Sequence, residues 1–466
     1  GGDIRSMRDK IADRTLWNDT VDEARRLFYS VLDLDKPLIA RINGAATGLG
    51  ATLAVYADIA IAADTAVIGD PHVKVGLAAG DGGALMWPML IGFQRAISRT
   101  MSAPNELPLA GTRVVEFTHM VAGPSCGQVL GDLGASVTKV EPPQGDVTRR
   151  MGPMAGDVAA LYASTNRNKQ VVCLDITQPV QAQRAQALAC AADVVISNLA
   201  PSMLDKADLS AGKLRELNPC LIFVLVTGFG ASGPAGTDGL AQASSGLMNV
   251  TGPAEGPGFR TGASVVDVTT GVWAALGVLA ALERRRQTGR GDLIQVSLAD
   301  TCLYMQYAQI GLYDADPSFA RPNGNHSTVS CTPMMNTKDG RLLTTILTTK
   351  HWVALCRATG LALEDDPRFA TNELRCDAQS LIEELFEPPM RQKTRAEWTQ
   401  ALRASGVPCG PERSYAEVTG DRELLERGVL FRLPQGHGSS LQVRMPLEFA
   451  EMERALPKPA PSLPGT

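Results

Sequence analysis

The sequence has little of what would point to nucleic acid, membrane, metal or disulfide chemistry. Its 44 Lys and Arg against 49 Asp and Glu leave a net charge of -5. No polybasic tract offers a polyanion or an anionic membrane a landing surface, so neither partner is expected. There are five histidines, His72, His119, His326, His351 and His437, and no HExxH or HxxxH pair, so no metal site is expected. The nine cysteines include no CxxC pair, are odd in number and match no disulfide framework. Reduced thiols in a cytoplasmic protein are the simplest reading. Cys126 lies at a Gly-rich turn where a nucleophile can sit, yet no His or Asp partner accompanies it in sequence, and a buried structural thiol fits better. The apolar run Ala51–Gly69 is broken by Asp58 and Asp64, which excludes it as a membrane span. The opening Gly1-Gly2-Asp3 carries neither Met nor a signal peptide, so a preceding piece of chain is expected.

What remains is a globular composition, 44% hydrophobic and 20% charged, over 466 residues. That length predicts two or three domains. Ser102–Pro108 (SAPNELP), with two prolines between apolar stretches, reads as a linker. Before it, helical spacing covers Leu16–Leu34, a strand Leu38–Ile42, a small-residue turn Gly44–Gly50, a helix Ala51–Tyr56 and strands at Ile59–Ala62 and Ala66–Ile68. After it, strand Arg113–Phe117, turn Ala122–Pro124, helix Ser125–Leu133 and strand Ser136–Glu141 form a βαβ unit. The alternation returns with helix Gln181–Ala191, strand Asp193–Ser197, helix Ala211–Leu217, strand Leu221–Thr227, helix Gly271–Arg286 and strand Leu293–Ser297. From Pro333 the pattern becomes mixed, with an amphipathic helix at Arg395–Ala404. The fold class expected is therefore α/β: a doubly wound, Rossmann-like parallel sheet at 109–300 and a smaller α+β domain at 301–430. A segment 431–466 is expected to return to the large domain, and a partial α/β segment occupies 1–101.

Pro37–Gly50 (PLIARINGAATGLG), continued by Ala57-Asp58-Ile59, Gly69–His72 and Gly80–Gly83, brings small residues to a helix start, where a peptide N–H can meet an oxyanion. Tight strand–helix packing would use the same residues. The order of these pieces resembles the crotonase (enoyl-CoA hydratase/isomerase) superfamily. The resemblance implies a thioester oxygen held by the N–H groups of Gly2 and Leu49. Thr52 and His72 stand where a hydratase carries its two glutamates. Threonine is no general base at neutral pH, so little hydratase activity is expected. His72 has the titration range of a general base, and Asp81 is a nearby candidate acid.

The stretch Leu107–Arg150 (LPLAGTRVVEFTHMVAGPSCGQVLGDLGASVTKVEPPQGDVTRR) resembles the start of the class III CoA-transferases, the CaiB/BaiF family of formyl-CoA transferase, carnitine CoA-transferase and 2-methylacyl-CoA racemase. Ordered matches continue through Asn166–Lys169, Ala192–Val194, Asn198, Leu217–Pro219, Gly228–Pro234, Ala241–Leu247, Gln287–Gly291 and Gly406–Pro408. Gly228–Gly233 spells GxGxxG, but Pro234 and Gly236 follow it and no helix does, so NAD is rejected.

The resemblance implies transfer of CoA from an acyl-CoA to a carboxylic acid, with the CoA thioester as substrate and no resident cofactor, in a homodimer. It places the nucleophilic carboxylate at Asp267, in Val265–Gly271, where a helix-capping aspartate is the plain alternative. Glu255, in the loop Thr251–Pro257, and Asp238 are the other acids considered. A surface role suits the first and a structural role the second. CoA contacts are expected from Val121, Ala122 and Gly123 at the strand–helix turn, from Asn198 and Gly228, and from Arg167, Asn168, Lys169 and Lys206 as phosphate-facing groups. A solvated surface charge is the alternative for each of these cations. His326, in Pro322–Ser327, falls where the formyl-CoA transferase has a glycine-rich flap. Thr237 replaces the racemase histidine, which disfavours racemisation. Val121 replaces a polar substrate contact, which disfavours formyl-CoA and oxalate.

Overall fold

The computed structural model describes residues 14–47, 49–63, 66, 68–69, 107–450 and 457–463. The chain divides into two compact units with the boundary between Leu107 and Pro108. In the first, helix α1 (Arg14–Leu32) precedes strand β1 (Ile39–Ile42), β2 (Ala46–Thr47), helix α2 (Leu49–Tyr56), β3 (Ile59–Ala62) and β4 (Ile68–Gly69). β1 pairs in parallel with β3, and β2 with β4. Asp58 accepts the Leu38 N–H at 2.8 Å, which accounts for an acid inside the apolar run. Gly2, His72 and Asp81 lie outside the described residues.

The second unit opens with β5 (Arg113–Phe117), α3 (Ala122–Asp132) and β6 (Ser136–Glu141). The short β7 (Met154–Ala155) and β8 (Val158–Ala159) lead to α4 (Ala160–Thr165), β9 (Lys169–Cys173), α5 (Pro179–Cys190) and β10 (Val194–Ser197). Then come α6 (Pro201–Lys206), α7 (Ala211–Leu217), β11 (Ile222–Thr227), α8 (Asp238–Ser244), α9 (Val265–Thr288), β12 (Leu293–Ser297) and α10 (Leu298–Met305). The six main strands form one parallel sheet in the order β12-β11-β10-β5-β6-β9. The order reverses between β5 and β10, and open parallel sheets bind ligands outside the strand ends at such a point.

Both faces of this sheet are covered, which is why its strands read as nearly continuous apolar runs. Val114, Val137, Ile196 and Val224 pack on one face with α3 and α9. Their neighbours Val115, Val140, Val195 and Phe223 pack on the other with Ala182, Ala185 and Ala189 of α5 and Leu214 of α7. By length and composition α9 is apolar enough to cross a membrane. Its buried stripe, Gly271, Ala274, Ala275, Val278 and Ala281, instead belongs to the core shared with α3.

Beyond the sheet, strands β13 (Met334–Asn336), β14 (Arg341–Thr344) and β15 (Cys409–Pro411) form an antiparallel sheet. A separate core containing Trp352, Phe369, Phe386 and Trp398 lies with it. The hairpin β16 (Leu430–Gln435) and β17 (Gly438–Val443) returns to the large sheet's surroundings. Gln442 donates to the Ala163 carbonyl at 3.2 Å, and the Asn168 N–H donates to the Lys458 carbonyl at 3.0 Å.

Three differences from the sequence reading have clear causes. Helix α3 starts at Ala122 and not at Ser125, because Pro124 fits a first turn, where its missing N–H costs nothing. Helix α9 starts at Val265, six residues before the expected Gly271, which places Asp267 inside its first turn. Lys169, read as a phosphate-facing group, instead heads the edge strand β9 (Lys169–Cys173); it faces inward, where an apolar residue would be anticipated.

Candidate active site

The end of β5 leads into α3 through Thr118–Val121. Asn198, just past β10, reaches across the switch point to this loop. Its Oδ1 accepts the His119 N–H at 3.0 Å, and its Nδ2 donates to the His119 carbonyl at 2.8 Å. Met120 is held at φ 63, a region non-glycine residues rarely occupy. At Gly123 a Cβ would approach Thr118 Cβ to 2.9 Å and Asn198 Cγ to 3.2 Å, so the turn needs glycine. Val121 and Ala122 are buried. No side chain caps α3. Its opening N–H groups, at Ala122 and Gly123, therefore point out of the helix end toward the crevice. His119 titrates below its ordinary value, because desolvation and the Lys139 charge outweigh the pull of Asp146.

Helix α9 crosses the first turn of α3 closely. A Cβ on Gly271 would sit 2.6 Å from Ser125 Cβ and 2.8 Å from the Ala122 carbonyl oxygen. Residues four apart share a helix face. Asp267 therefore stands one turn before that crossing, on the face of α9 that meets the start of α3. Burial, with the Asp238 charge adding to it, raises the Asp267 carboxyl to about 6. Its side chain has no hydrogen bond or ion pair among the described residues. The capping is done by Asp238, whose Oδ2 accepts the N–H groups of Val266 at 2.8 Å and Asp267 at 3.1 Å. Asp238 is oriented in turn by Gln242, which donates to Oδ1 at 2.5 Å and also binds Thr261. Asp267 is thus not a helix cap; Asp238 is.

The other candidates separate sharply. Arg167 is buried and gives its guanidinium to Asp132 at 3.0 and 2.5 Å, to Gln442 and to the Val443 carbonyl. Asn168 binds Asp132 and the Lys458 N–H. Lys169 is buried against Glu116, Asn166 and the Pro124 carbonyl. These three were expected to face phosphates. The structure corrects that: their donors are consumed inside the protein, because chain segments distant in sequence supply the partners. Asn198 is likewise spent on His119. Gly228 serves close packing, since a Cβ there would come within 2.3 Å of the Gly236 nitrogen. His326 Nε2 lies 2.9 Å from Glu383 Oε1, which also accepts the Met334 N–H. Glu255 is exposed in its loop. Lys206 is exposed at the end of α6, without an ion pair among the described residues. Leu49 opens α2. Cys126 is fully buried and its thiol is pushed far up by desolvation, which removes it as a nucleophile. No group of three His, Cys, Asp or Glu suited to a metal occurs among the described residues.

The sequence reading passed over a buried charge network formed by Glu116, Lys139 and Asp146 together with Lys169. The available signal was the presence of Glu116 and Lys139 inside otherwise apolar strands of one βαβ unit.

The chain is similar to known proteins over most of its length. Residues 109–465 match the family described as CoA-transferase family III, and residues 1–105 match Enoyl-CoA hydratase/isomerase. A succinate–glutarate CoA-transferase of Agrobacterium fabrum is 32% identical over 77% of this chain and 94% of its own length. The succinyl-CoA:glutarate CoA-transferase of Mus musculus is 31% identical over 76% of this chain and 84% of its own. Among solved structures, a CAIB/BAIF family protein from Brucella suis superposes with a TM-score of 0.70 at 32% identity. It covers 77% of this chain and 97% of its own.

Proposed function

The chain belongs to CoA-transferase family III, and from that premise we propose that it moves CoA from an acyl-CoA thioester to a carboxylic acid through Asp267. The observation that carries this reading is a half-buried carboxyl, spared from capping, on the helix face that meets the open N–H groups of α3. The Asp267 carboxylate attacks the thioester carbonyl, the C–S bond breaks, and an acyl–aspartyl anhydride and CoA thiolate result. The thiolate then attacks the aspartyl carbonyl and expels the donor acid, leaving CoA as a thioester on Asp267. The acceptor carboxylate attacks that thioester, and the thiolate returned by this step attacks the new acyl group, which restores Asp267. The N–H groups of Ala122 and Gly123 suit the oxyanions that develop along the way. Of the cations expected to face phosphates, Lys206 is the one left exposed and unpaired among the described residues, and it suits the CoA diphosphate.

The A. fabrum and mouse relatives are named for succinate or succinyl-CoA and glutarate, which makes that pair the first to test here. Purified protein would receive succinyl-CoA with labelled glutarate. Label entering the CoA thioester pool with wild type and not with Asp267→Ala is the expected result. Exchange that survives the substitution would remove Asp267 from the mechanism. In the N-terminal unit, Thr52 is buried on α2 where the crotonase resemblance calls for a glutamate, which supports a unit without hydratase activity.

We read the working assembly as a homodimer. Val268, Val272 and Leu276 form an exposed apolar stripe along α9, and Tyr304 and Tyr307 add exposed aromatic surface. Val272→Asp combined with Leu276→Asp is expected to halve the mass measured by sedimentation. An unchanged dimer mass would place the interface elsewhere.

A further inference from the structure

Beneath the loop that receives α3 lie charged side chains for which the transfer chemistry has no direct use. Glu116 of β5 and Lys139 of β6 face each other in the sheet register, and both are buried. Lys139 Nζ stands 3.5 Å from Glu116 Oε1 and 3.0 Å from Asp146 Oδ2. Lys169 Nζ, from β9, lies 2.8 Å from the same Glu116 oxygen. Helix α3 closes over the group at Gly127, where a Cβ would meet Glu116 Oε2 at 1.8 Å. Each ammonium also has a backbone partner. Lys139 donates to the Thr118 carbonyl at 2.9 Å, at the exit of β5. Lys169 donates to the Pro124 carbonyl at 2.8 Å, in the first turn of α3. Thus the two ends of the loop are pinned by two cations that share one carboxylate, while Asn198 grips its middle at His119.

We propose that Lys169 and Lys139, joined through Glu116, are positioning residues that hold Thr118–Pro124 in the shape that presents the N–H groups of Ala122 and Gly123 to the thioester. The inference rests on reading that loop as a wall of the CoA-thioester site. Buried ion pairs rarely exceed well-packed apolar residues in stability, so the network's value lies in where it puts two carbonyls. The Lys169 ammonium is held at a cost: burial lowers it to about 8 despite Glu116. Met120 at φ 63 is a strained residue that persists only where its surroundings dictate it, and this loop is clamped at three points.

The test uses the full chain with Lys169→Met and with the double variant Glu116→Gln/Lys169→Met. CoA exchange, thermal unfolding and amide hydrogen exchange across His119–Gly123 are measured in each. Lys169→Met is expected to unfold at a lower temperature. Its kcat should fall at least about tenfold, with the KM for succinyl-CoA moving less than about threefold, as befits a displaced oxyanion donor. The double variant also removes the Glu116 charge, which Lys139 would otherwise have to balance together with Asp146. It is expected to recover much of the unfolding temperature but not kcat, and to keep the faster amide exchange. Recovery of kcat together with stability overturns the proposal, since charge balance alone would then explain the network. So does unchanged amide exchange in both variants. If Lys169→Met does not fold, the double variant carries both readouts. If wild type itself transfers no CoA, the transferase reading fails, and the amide exchange still decides whether the lysines shape the loop.

Discussion

The two sides of the switch-point crevice treat buried charge in opposite ways. At the start of α9, Asp267 and Asp238 stand together with no cation among the described residues near enough to pair with them, and the Asp267 carboxyl rises to about 6. Under the loop Thr118–Pro124, carboxylates and ammonium groups are matched. There Asp146 is held below the usual carboxylate range, because Lys139 and Thr148 overcome its burial. Asp238 is committed to the Val266 and Asp267 N–H groups and to Gln242, whereas Asp267, with no hydrogen-bond partner among the described residues, keeps its oxygens available for bond formation. Under the loop, Glu116 Oε1 and Asp146 are held by the lysines and by Thr148, and these acids serve structure. The contrast marks which acid is chemical and which is architectural.

The largest expected effect comes from removing the unmatched charge. Asp267→Asn should lower CoA exchange by on the order of 10^4 or more, as nucleophile removal does elsewhere. The same variant tests the linkage. Because its folded value exceeds the ordinary 3.8, Asp267 binds its proton more tightly in the folded state. Its contribution to stability therefore falls as pH rises from about 4 to about 6 and stays lost above that. Asp267→Asn should accordingly unfold at a higher temperature than wild type at pH 7, and a lower one would contradict the buried, unpaired carboxyl. In wild type, exchange activity should decline below about pH 6 as the nucleophile is protonated.

A smaller effect is expected at Asp238. Asp238→Asn keeps an oxygen for the Val266 and Asp267 N–H groups but removes the negative charge beside Asp267 and faces Gln242 with a donor. The acid limb of the pH–rate profile should shift to lower pH, at a cost of about 1–2 kcal/mol in stability. A limb that stays in place would mean that burial alone sets the Asp267 titration. The smallest effect is expected at Cys126, sealed in the core between α3 and the sheet. Cys126→Ala should leave kcat within about twofold and cost about 1 kcal/mol of stability. A loss of exchange on that substitution would return the thiol to the mechanism.

Much of the fold was legible in the residues. Strands Arg113–Phe117, Ser136–Glu141 and Leu293–Ser297 and helices Ala211–Leu217 and Arg395–Ala404 fall where apolar periodicity and turn residues put them. The position of Asp267 at a helix start was also visible. The strand Lys169–Cys173 was not, because a charged residue at its head resembles loop until its partner is known. The roles of Arg167, Asn168 and Lys169 were misread for the same reason. A basic, polar string is a phosphate grip only if nothing inside the protein claims it. Here Asp132 claims Arg167 from 35 residues away, and Glu116 claims Lys169 from 53.

The sequence by itself determined the alternation of strands and helices, the glycines that let α3 and α9 approach, and an aspartate at the head of α9. Those properties are local, set by side-chain period, backbone freedom and position on a helix. Only the tertiary structure decided which charges are spent and which remain. Ion pairing depends on distances between strands far apart in the chain and on burial that no single segment contains. Asp267 is left unmatched and the lysines beneath the crevice are bound because the parallel order β10-β5-β6-β9 brings Glu116 to the lysines and brings no cation of the described residues to Asp267.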